Sequence, residues 1–150
     1  MRGAYAGAPA FAEIWPALTD IYATSPTNAL AAANAHIIVA LAGRLEIATE
    51  FVVESVLGID DSRADDRLIA LIDTCAPGAA YLSGEGGRKY QDPAKFAAAG
   101  IDLVYTDFTH PIYDQGGAPF VPGLSLVDAL FNLGWEQTGS LIARGFAVSK

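Results

Sequence analysis

The chain has 150 residues, 52% of them hydrophobic and 17% charged, which fits one globular domain over residues 1–150 and excludes a disordered chain. Its formal net charge of -8 argues against non-specific binding to nucleic acid or to an anionic membrane surface. Cys75 is the only cysteine, so a disulfide scaffold and a zinc cluster built on cysteines within one chain are excluded.

The first third of the chain predicts two helices. Apolar residues recur at helical spacing over residues 8–23, and Pro16 predicts either a kink there or a helix that begins near it. Ser25-Pro26 has the pattern of a cap followed by proline at the first helical position, and Gly43 is the expected end of that second helix. The apolar run at 29–43 is too short to span a bilayer, and we see no signal peptide, so we expect a cytoplasmic protein.

Strands and helices then alternate. The sequence predicts strands at residues 49–56, 79–82 and 101–105, with helices at 64–75 and from Asp92-Pro93 to about residue 99. This order predicts a three-layer-like α/β domain, with a short, mostly parallel sheet flanked by helices behind a helical N-terminal part. Ligands collect at the carboxyl ends of parallel strands, so Ser55 and the segments 83–88 and 107–115 are expected at one sheet edge.

The glycine-rich loop after the second strand is the first candidate site. Gly84, Gly86 and Gly87 suggest backbone that approaches a ligand closely, and their bare N–H groups beside Arg88 and Lys89 would suit an anion. A wide surface turn is the alternative interpretation of such a loop.

Three other features have structural interpretations that we prefer. Cys75 is expected to be a small core residue, and His36 a packed or surface-edge residue without partner ligands for a metal. A cluster of aspartates is expected to complement the start of the 64–75 helix on a solvated face, with a divalent-metal site as the alternative. These aspartates are Asp60, Asp61, Asp65 and Asp66.

The last third predicts one capped helix and a tail. Residues 120–124 are expected to form a core-packed loop, although an exposed partner surface is the alternative. Ser125 and Asp128 have the spacing of a capping box, and Gly134 is the expected end of that helix. We expect residues 135–150 to form a last, fraying helix.

Several of these residues together resemble the WbqC-like family of bacterial proteins. The resemblance is strong over residues 80–134 and looser before, where Tyr5, Ala8-Pro9, Phe11 and Ser55 fit the family pattern. The strong part consists of Tyr81-Leu82-Ser83-Gly84, Gly86-Gly87-Arg88, Tyr90, Phe96, Gly100-Ile101, Tyr105, His110-Pro111, Tyr113, Gln115, Phe120-Val121-Pro122-Gly123-Leu124-Ser125, Asp128, Leu130-Phe131-Asn132 and Gly134. Family members usually begin with a strand and loop rich in Gln, Asn, Tyr, Pro and Trp. This chain has no such segment, so the resemblance implies truncation at the N-terminus.

The resemblance implies a transferase of O-antigen or other surface-polysaccharide biosynthesis, moving a glycine, aminoacyl-type or related group. We expect His110 to be the acid/base residue and Arg88 to hold a phosphate or carboxylate on a small-molecule substrate. The expected substrate-binding residues are Ser83, Gly84, Gly86, Gly87, Tyr90, Tyr113 and Gln115. No metal ligands and no particular cofactor are predicted, and a homo-oligomer is compatible with the sequence. The alternatives are a non-catalytic protein that binds a nucleotide or partner, and an inactive fragment.

Overall fold

A computed structural model describes residues 1–26, 29–59, 62–117, 119–144 and 146–149. Its helices are α1 (Arg2–Tyr5), α2 (Phe11–Ala23), α3 (Leu30–Arg44), α4 (Ala64–Cys75), α5 (Pro93–Ala98) and α6 (Leu126–Arg144). Its strands are β1 (Tyr81–Ser83), β2 (Leu103–Phe108) and β3 (Phe146–Ser149). The chain divides into two compact units, Met1–Glu50 with His110–Gly145 and Phe51–Thr109 with Phe146–Lys150. The single domain predicted over residues 1–150 stays a prediction.

The first unit is helical and is built around one apolar cluster. Ile14 and Leu18 lie one turn apart on α2 and face Leu130 and Phe131 of α6, with Leu45 completing the cluster. All five side chains are at least nine-tenths buried, so burial of apolar surface holds α2 and α6 together. This confirms the helical N-terminal part predicted from the apolar spacing.

The boundaries of the first long helices differ from the prediction. α2 begins at Phe11 with Pro16 in its interior, and α3 begins at Leu30, beyond the predicted start at Ser25-Pro26. α3 also continues through Gly43 to Arg44, because the following turn is closed by backbone bonds from Leu45 and Ile47 to carbonyls of its last residues. Local capping signals alone therefore placed this helix wrongly.

His36 has the structural role expected for it. Its Nε2 atom lies 3.1 Å from the carbonyl oxygen of Ile21 and 3.4 Å from the Thr24 hydroxyl oxygen. These contacts link α3 to the last turn of α2, where helix carbonyls lack partners within their own helix.

The second unit contains the sheet, in the order β1-β2-β3. β1 and β2 are parallel, with Tyr81 opposite Leu103, and the connection between them includes α5. Phe96 of α5 is fully buried and its ring stacks on Tyr81 at 5.7 Å between centroids, which packs this helix against the sheet. Asp92 caps α5 by accepting the Ala94 N–H at 3.0 Å, as its sequence predicted. The predicted α/β class with helices flanking a short sheet is confirmed.

Two further predictions differ from the structure, the strand at 49–56 completely and the last helix in part. Residues 49–56 contain no strand, and only Glu54–Val56 forms a 3-10 turn. Phe51, Val52 and Val53 in that segment are all exposed, so these residues of high β propensity have no neighbouring strand or buried surface to pack against. The predicted last helix is present over residues 135–144, but it does not continue to the end of the tail, because α6 ends at Arg144 and Phe146–Ser149 pairs antiparallel with β2. The free edge of β2 supplies the backbone partners that a tail cannot find by itself.

The polar features of α4 also differ from expectation. Cys75 is exposed at the last residue of the helix, so it is not a core residue. Asp65 is buried and accepts the Asp92 N–H at 2.9 Å, while Asp66 pairs with Lys95 at 2.8 Å. The solvated face predicted for these aspartates is therefore wrong for Asp65, because the start of α5 offers it a backbone donor. Asp60 and Asp61 lie outside the described residues.

Candidate functional site

The glycine-rich loop of the second unit closes on itself. β1 leads through Gly84 into a 3-10 turn at Glu85–Lys89. The Gly87 N–H donates to the Gly84 carbonyl at 2.8 Å, and the N–H groups of Tyr90 and Gln91 donate to the Gly87 carbonyl at 3.1 and 2.9 Å. These three N–H groups already have partners, so they are not the bare donors that the sequence predicted for an anion.

Arg88 is the cationic side chain that this turn positions. Its guanidinium carbon lies 4.1 Å from the ring centroid of Tyr105, a buried residue of β2. Its Nε atom also lies 3.0 Å from the Glu85 carboxylate. This cation–π contact holds the guanidinium over the aromatic ring while 40% of the side chain stays exposed. Glu85 would compete with any anion for that exposed part, whereas Tyr90, also exposed, offers a hydroxyl from the end of the turn.

Gly87 is required by close packing. A Cβ atom built on it would lie 2.4 Å from both the Ser83 hydroxyl oxygen and the Gln91 side-chain carbonyl oxygen. Ser83 and Gln91 are both buried, so neither can swing freely into solvent. Gly84 and Gly86, in contrast, have open space where a Cβ would stand. Of these three glycines in the predicted site, only Gly87 is therefore fixed by its neighbours.

In the first unit, Asp128 brings two tyrosines together. The hydroxyl of Tyr5 donates to Asp128 Oδ1 at 2.9 Å, and the hydroxyl of Tyr113 donates to Oδ2 at 2.7 Å. Burial, and then the hydrogen bond to Asp128, raise the pKa of Tyr113 to about 12 and also raise the pKa of Tyr5. Asp128 is only 6% exposed. Ser125 does cap α6, because its hydroxyl accepts the Val127 N–H at 3.3 Å, but the Asp128 carboxylate holds the tyrosines instead of completing a capping box.

A pocket of about 410 Å³ opens beside this carboxylate, within the range of small-molecule sites. Its lining residues are Ala4, Tyr5, Gly7, Ala8, Pro9, Gln115, Gly116, Asp128 and Asn132. The Gln115 amide is bonded in both directions to the backbone of Val121, at 3.1 and 2.8 Å, and so fixes the loop that forms one wall. Asn132 is fixed by donating to the Asp128 carbonyl at 2.9 Å.

His110 lies at the start of the loop that carries Tyr113 and Gln115. Its side chain is exposed, and a Cβ atom on Gly123 would lie 3.7 Å from its Cε1 and Nε2 atoms. The segment 120–124 was expected to be packed in the core, but Val121 is 51% and Leu124 48% exposed. The Gln115 bonds to the backbone of Val121 hold this segment without burying its side chains.

The predicted site residues fall into two groups. Ser83, Gly84, Gly86, Gly87, Arg88 and Tyr90 belong to the second unit, and His110, Tyr113 and Gln115 to the first. Functional reasoning from the sequence missed Tyr5, Asp128 and Asn132, although all three match the family pattern. Among the described residues, no three His, Cys, Asp or Glu side chains are arranged to hold a metal ion.

The hydrogen bond between Tyr113 and Asp128 predicts a specific response to alkaline pH. The folded chain holds the Tyr113 proton more tightly than the unfolded chain, in which the pKa is near 10. This contribution to stability is complete below about pH 10 and is lost as the pH rises towards 12. In the unmodified chain, we expect the free energy of unfolding to fall by about 1 kcal/mol over this pH range, and Tyr113→Phe should remove that decrease. The value is smaller than the full pKa difference implies, because the hydroxyl is partly accessible to solvent.

Urea unfolding at pH 8, 10 and 11 measures this effect as the change in the free energy of unfolding. The matched control is Tyr22→Phe, which removes the hydroxyl of an exposed tyrosine and should keep the unmodified chain's pH dependence. An unchanged pH dependence in Tyr113→Phe would contradict the role given to this hydroxyl.

The fold and site together define an α/β protein with a polar pocket of small-molecule size. A model of the WbqC-like protein family matches residues 1–140, so the chain belongs to that family. It is 31% identical over 135 residues to a curated protein of Mycobacterium tuberculosis (strain ATCC 25618 / H37Rv), named "Uncharacterized protein Rv1507c". The aligned region covers 88% of this chain but 57% of that relative.

No solved structure matches the chain. Within the residues that the structure describes, no helix has the length and apolar character needed to cross a membrane.

Proposed function

We propose that this chain is a transferase of O-antigen or related surface-polysaccharide biosynthesis, which moves a glycyl, aminoacyl-type or related group. The observation that carries the proposal is the pocket beside Tyr5 and Asp128, which has the volume for a small-molecule substrate and several polar groups on its wall. Membership of the WbqC-like family also supports the proposed transferase function. The proposal includes a cytoplasmic location.

In the first unit, His110 is the proposed acid/base residue. Its imidazole is exposed, and histidine can take up and release a proton near neutral pH. Tyr113 and Gln115 would act as positioning residues, since Tyr113 fixes the Asp128 carboxylate and Gln115 fixes the loop at the pocket wall. No nucleophile is assigned, because group transfer can proceed by direct attack of the acceptor.

In the second unit, Arg88 is proposed to bind a phosphate or carboxylate of a substrate. The support is its guanidinium, held over the Tyr105 ring and partly exposed. A bound anion would displace the Glu85 carboxylate from the Arg88 guanidinium or share the guanidinium with it. A guanidinium can hold such an anion through two parallel hydrogen bonds. Ser83 and the three glycines shape the turn that carries Arg88, and Tyr90 offers a further hydroxyl.

The second candidate function is that of a non-catalytic binding protein, and one observation favours it. Ile112 is 78% exposed, and it belongs to the same unit as the exposed side chains of Val121 and Leu124. Exposed apolar side chains of this kind suit contact with another protein. This candidate predicts binding without transfer, so a transfer assay separates the two.

The decisive experiment follows transfer of an isotopically labelled group by mass spectrometry. The chain is incubated with nucleotide-activated sugars and aminoacyl donors, singly and in pairs. We expect His110→Ala to lower the rate of transfer about 10²- to 10⁴-fold, the usual contribution of an acid/base residue. Arg88→Ala should mainly raise the KM for the phosphate- or carboxylate-bearing substrate, because it removes a binding group.

The control is His36→Ala, which removes the other histidine of the chain, one that contacts Ile21 and Thr24. It should leave the transfer rate unchanged. A full rate in His110→Ala would exclude its acid/base role, and saturable binding of substrates without transfer by the unmodified chain would favour the binding protein.

A further inference from the structure

Among the described residues of its unit, Asp128 forms no ion pair. Its two oxygens accept instead from the neutral hydroxyls of Tyr5 and Tyr113. A buried carboxylate is costly unless it is paired, so a cation supplied by a ligand would complete the surroundings that the described residues of this unit provide.

The pocket wall beside Asp128 is rich in acceptors. The Tyr5 hydroxyl donates its hydrogen bond to Asp128, so its oxygen can only accept hydrogen bonds from further partners. The Asn132 amide donates one of its two N–H groups to the Asp128 carbonyl, and its side-chain oxygen is a further acceptor. Asp128, Tyr5 and Asn132 all line the same pocket. A primary ammonium group carries one positive charge and three N–H donors, and these three acceptors complement both properties.

We propose that this pocket binds the primary ammonium group of a small-molecule substrate, with Asp128 as its counter-charge and the oxygens of Tyr5 and Asn132 as further acceptors. This inference rests on the proposed function in taking the pocket as a substrate site. Tyr113 acts as a positioning residue, because it bonds the second Asp128 oxygen and is not part of the pocket wall.

The ammonium group could belong to an amino sugar or to an amino-acid derivative. Two pairs of probes distinguish these sources, each pair differing by an amine in place of a hydroxyl: D-glucosamine against D-glucose, and glycinamide against glycolamide. Isothermal titration calorimetry or NMR titration at pH 7 gives the dissociation constants. We expect the amine of at least one pair to bind at least ten times more tightly than its hydroxyl partner, and the pair that shows this preference identifies the source.

Two variants test whether Asp128 causes the preference. Asp128→Asn keeps the shape and removes the charge, so it should abolish the preference for the amine while changing affinity for the hydroxyl probe less than threefold. Glu13→Gln is the matched control, because it removes an equal charge from an exposed carboxylate outside the pocket wall and should keep the preference. Near-UV circular dichroism checks that both variants are folded.

The titrations of the unmodified chain with the amine and hydroxyl probes test the inference even if Asp128→Asn does not fold. Equal affinity for both members of each pair, or binding of neither member, would overturn the inference, and so would a preference that survives in folded Asp128→Asn. Transfer activity that depends on His110, found together with equal affinities, would overturn this inference and leave the proposed function standing. Selective amine binding without transfer would support this inference and contradict the proposed transferase function.

Discussion

Phe131→Ala is expected to cost about 3–5 kcal/mol of the free energy of unfolding, the range for removing a fully buried phenylalanine. Phe131 is completely buried, and its ring stacks on Tyr5 at 4.6 Å and on Phe11 at 5.7 Å between centroids. The substitution removes apolar surface from the core and leaves a cavity between α2 and α6. It also removes the aromatic surface on which the ring of Tyr5 rests.

The functional consequence follows from the position of Tyr5. Its hydroxyl bonds Asp128 at the pocket, so loss of the stacked ring should weaken ligand binding even at temperatures where the variant is still folded. Urea unfolding measures the stability, and the probe titrations at 10 °C measure the binding. The control is Phe51→Ala, which truncates a phenylalanine that is 45% exposed and should change stability by about 0.5 kcal/mol or less. A loss below about 1.5 kcal/mol in Phe131→Ala would contradict its place at the centre of this core.

Gly134→Ala is expected to cost about 2–3 kcal/mol, because it forces a side chain onto backbone that is accessible almost only to glycine. Gly134 has φ 77° and ψ -178°, which interrupts the helical geometry of α6. A Cβ atom there would also lie 3.0 Å from a carboxylate oxygen of Glu13 and 3.8 Å from the Cβ of Ala10. The carbonyl of Phe131, just before the break, accepts the Ala10 N–H at 3.0 Å. The break therefore belongs to the same region that anchors the start of α2 beside the pocket.

Gly139→Ala is the matched control for this prediction, with the opposite sign. Gly139 lies in the second half of α6, and a Cβ atom there would meet only the Leu45 carbonyl oxygen at an ordinary 3.7 Å. The same change should therefore stabilise the chain by about 0.5–1 kcal/mol, the usual difference between alanine and glycine inside a helix. Urea unfolding of both variants measures the contrast. Equal effects of the two substitutions would show that the backbone at Gly134 can relax, contrary to the prediction.

Local sequence signals were sufficient to predict the features that depend on neighbours along the chain. Apolar spacing identified α2 and α4, the Asp92-Pro93 cap identified the start of α5, and Gly134 marked the interruption of α6. These signals are local, because helical periodicity, capping and the conformational freedom of glycine act within a few residues. The family signature over residues 80–134 likewise led to the WbqC-like family, whose model matches residues 1–140.

The remaining features depend on partners far apart in the sequence and follow only from tertiary contacts. The segment 49–56 has β propensity but no strand to pair with, whereas Phe146–Ser149 becomes a strand because the edge of β2 is available to it. Asp128 has the spacing of a helix cap, yet its carboxylate holds Tyr5, which lies 123 residues away in sequence. Both residues line the pocket, and local spacing could not bring them together.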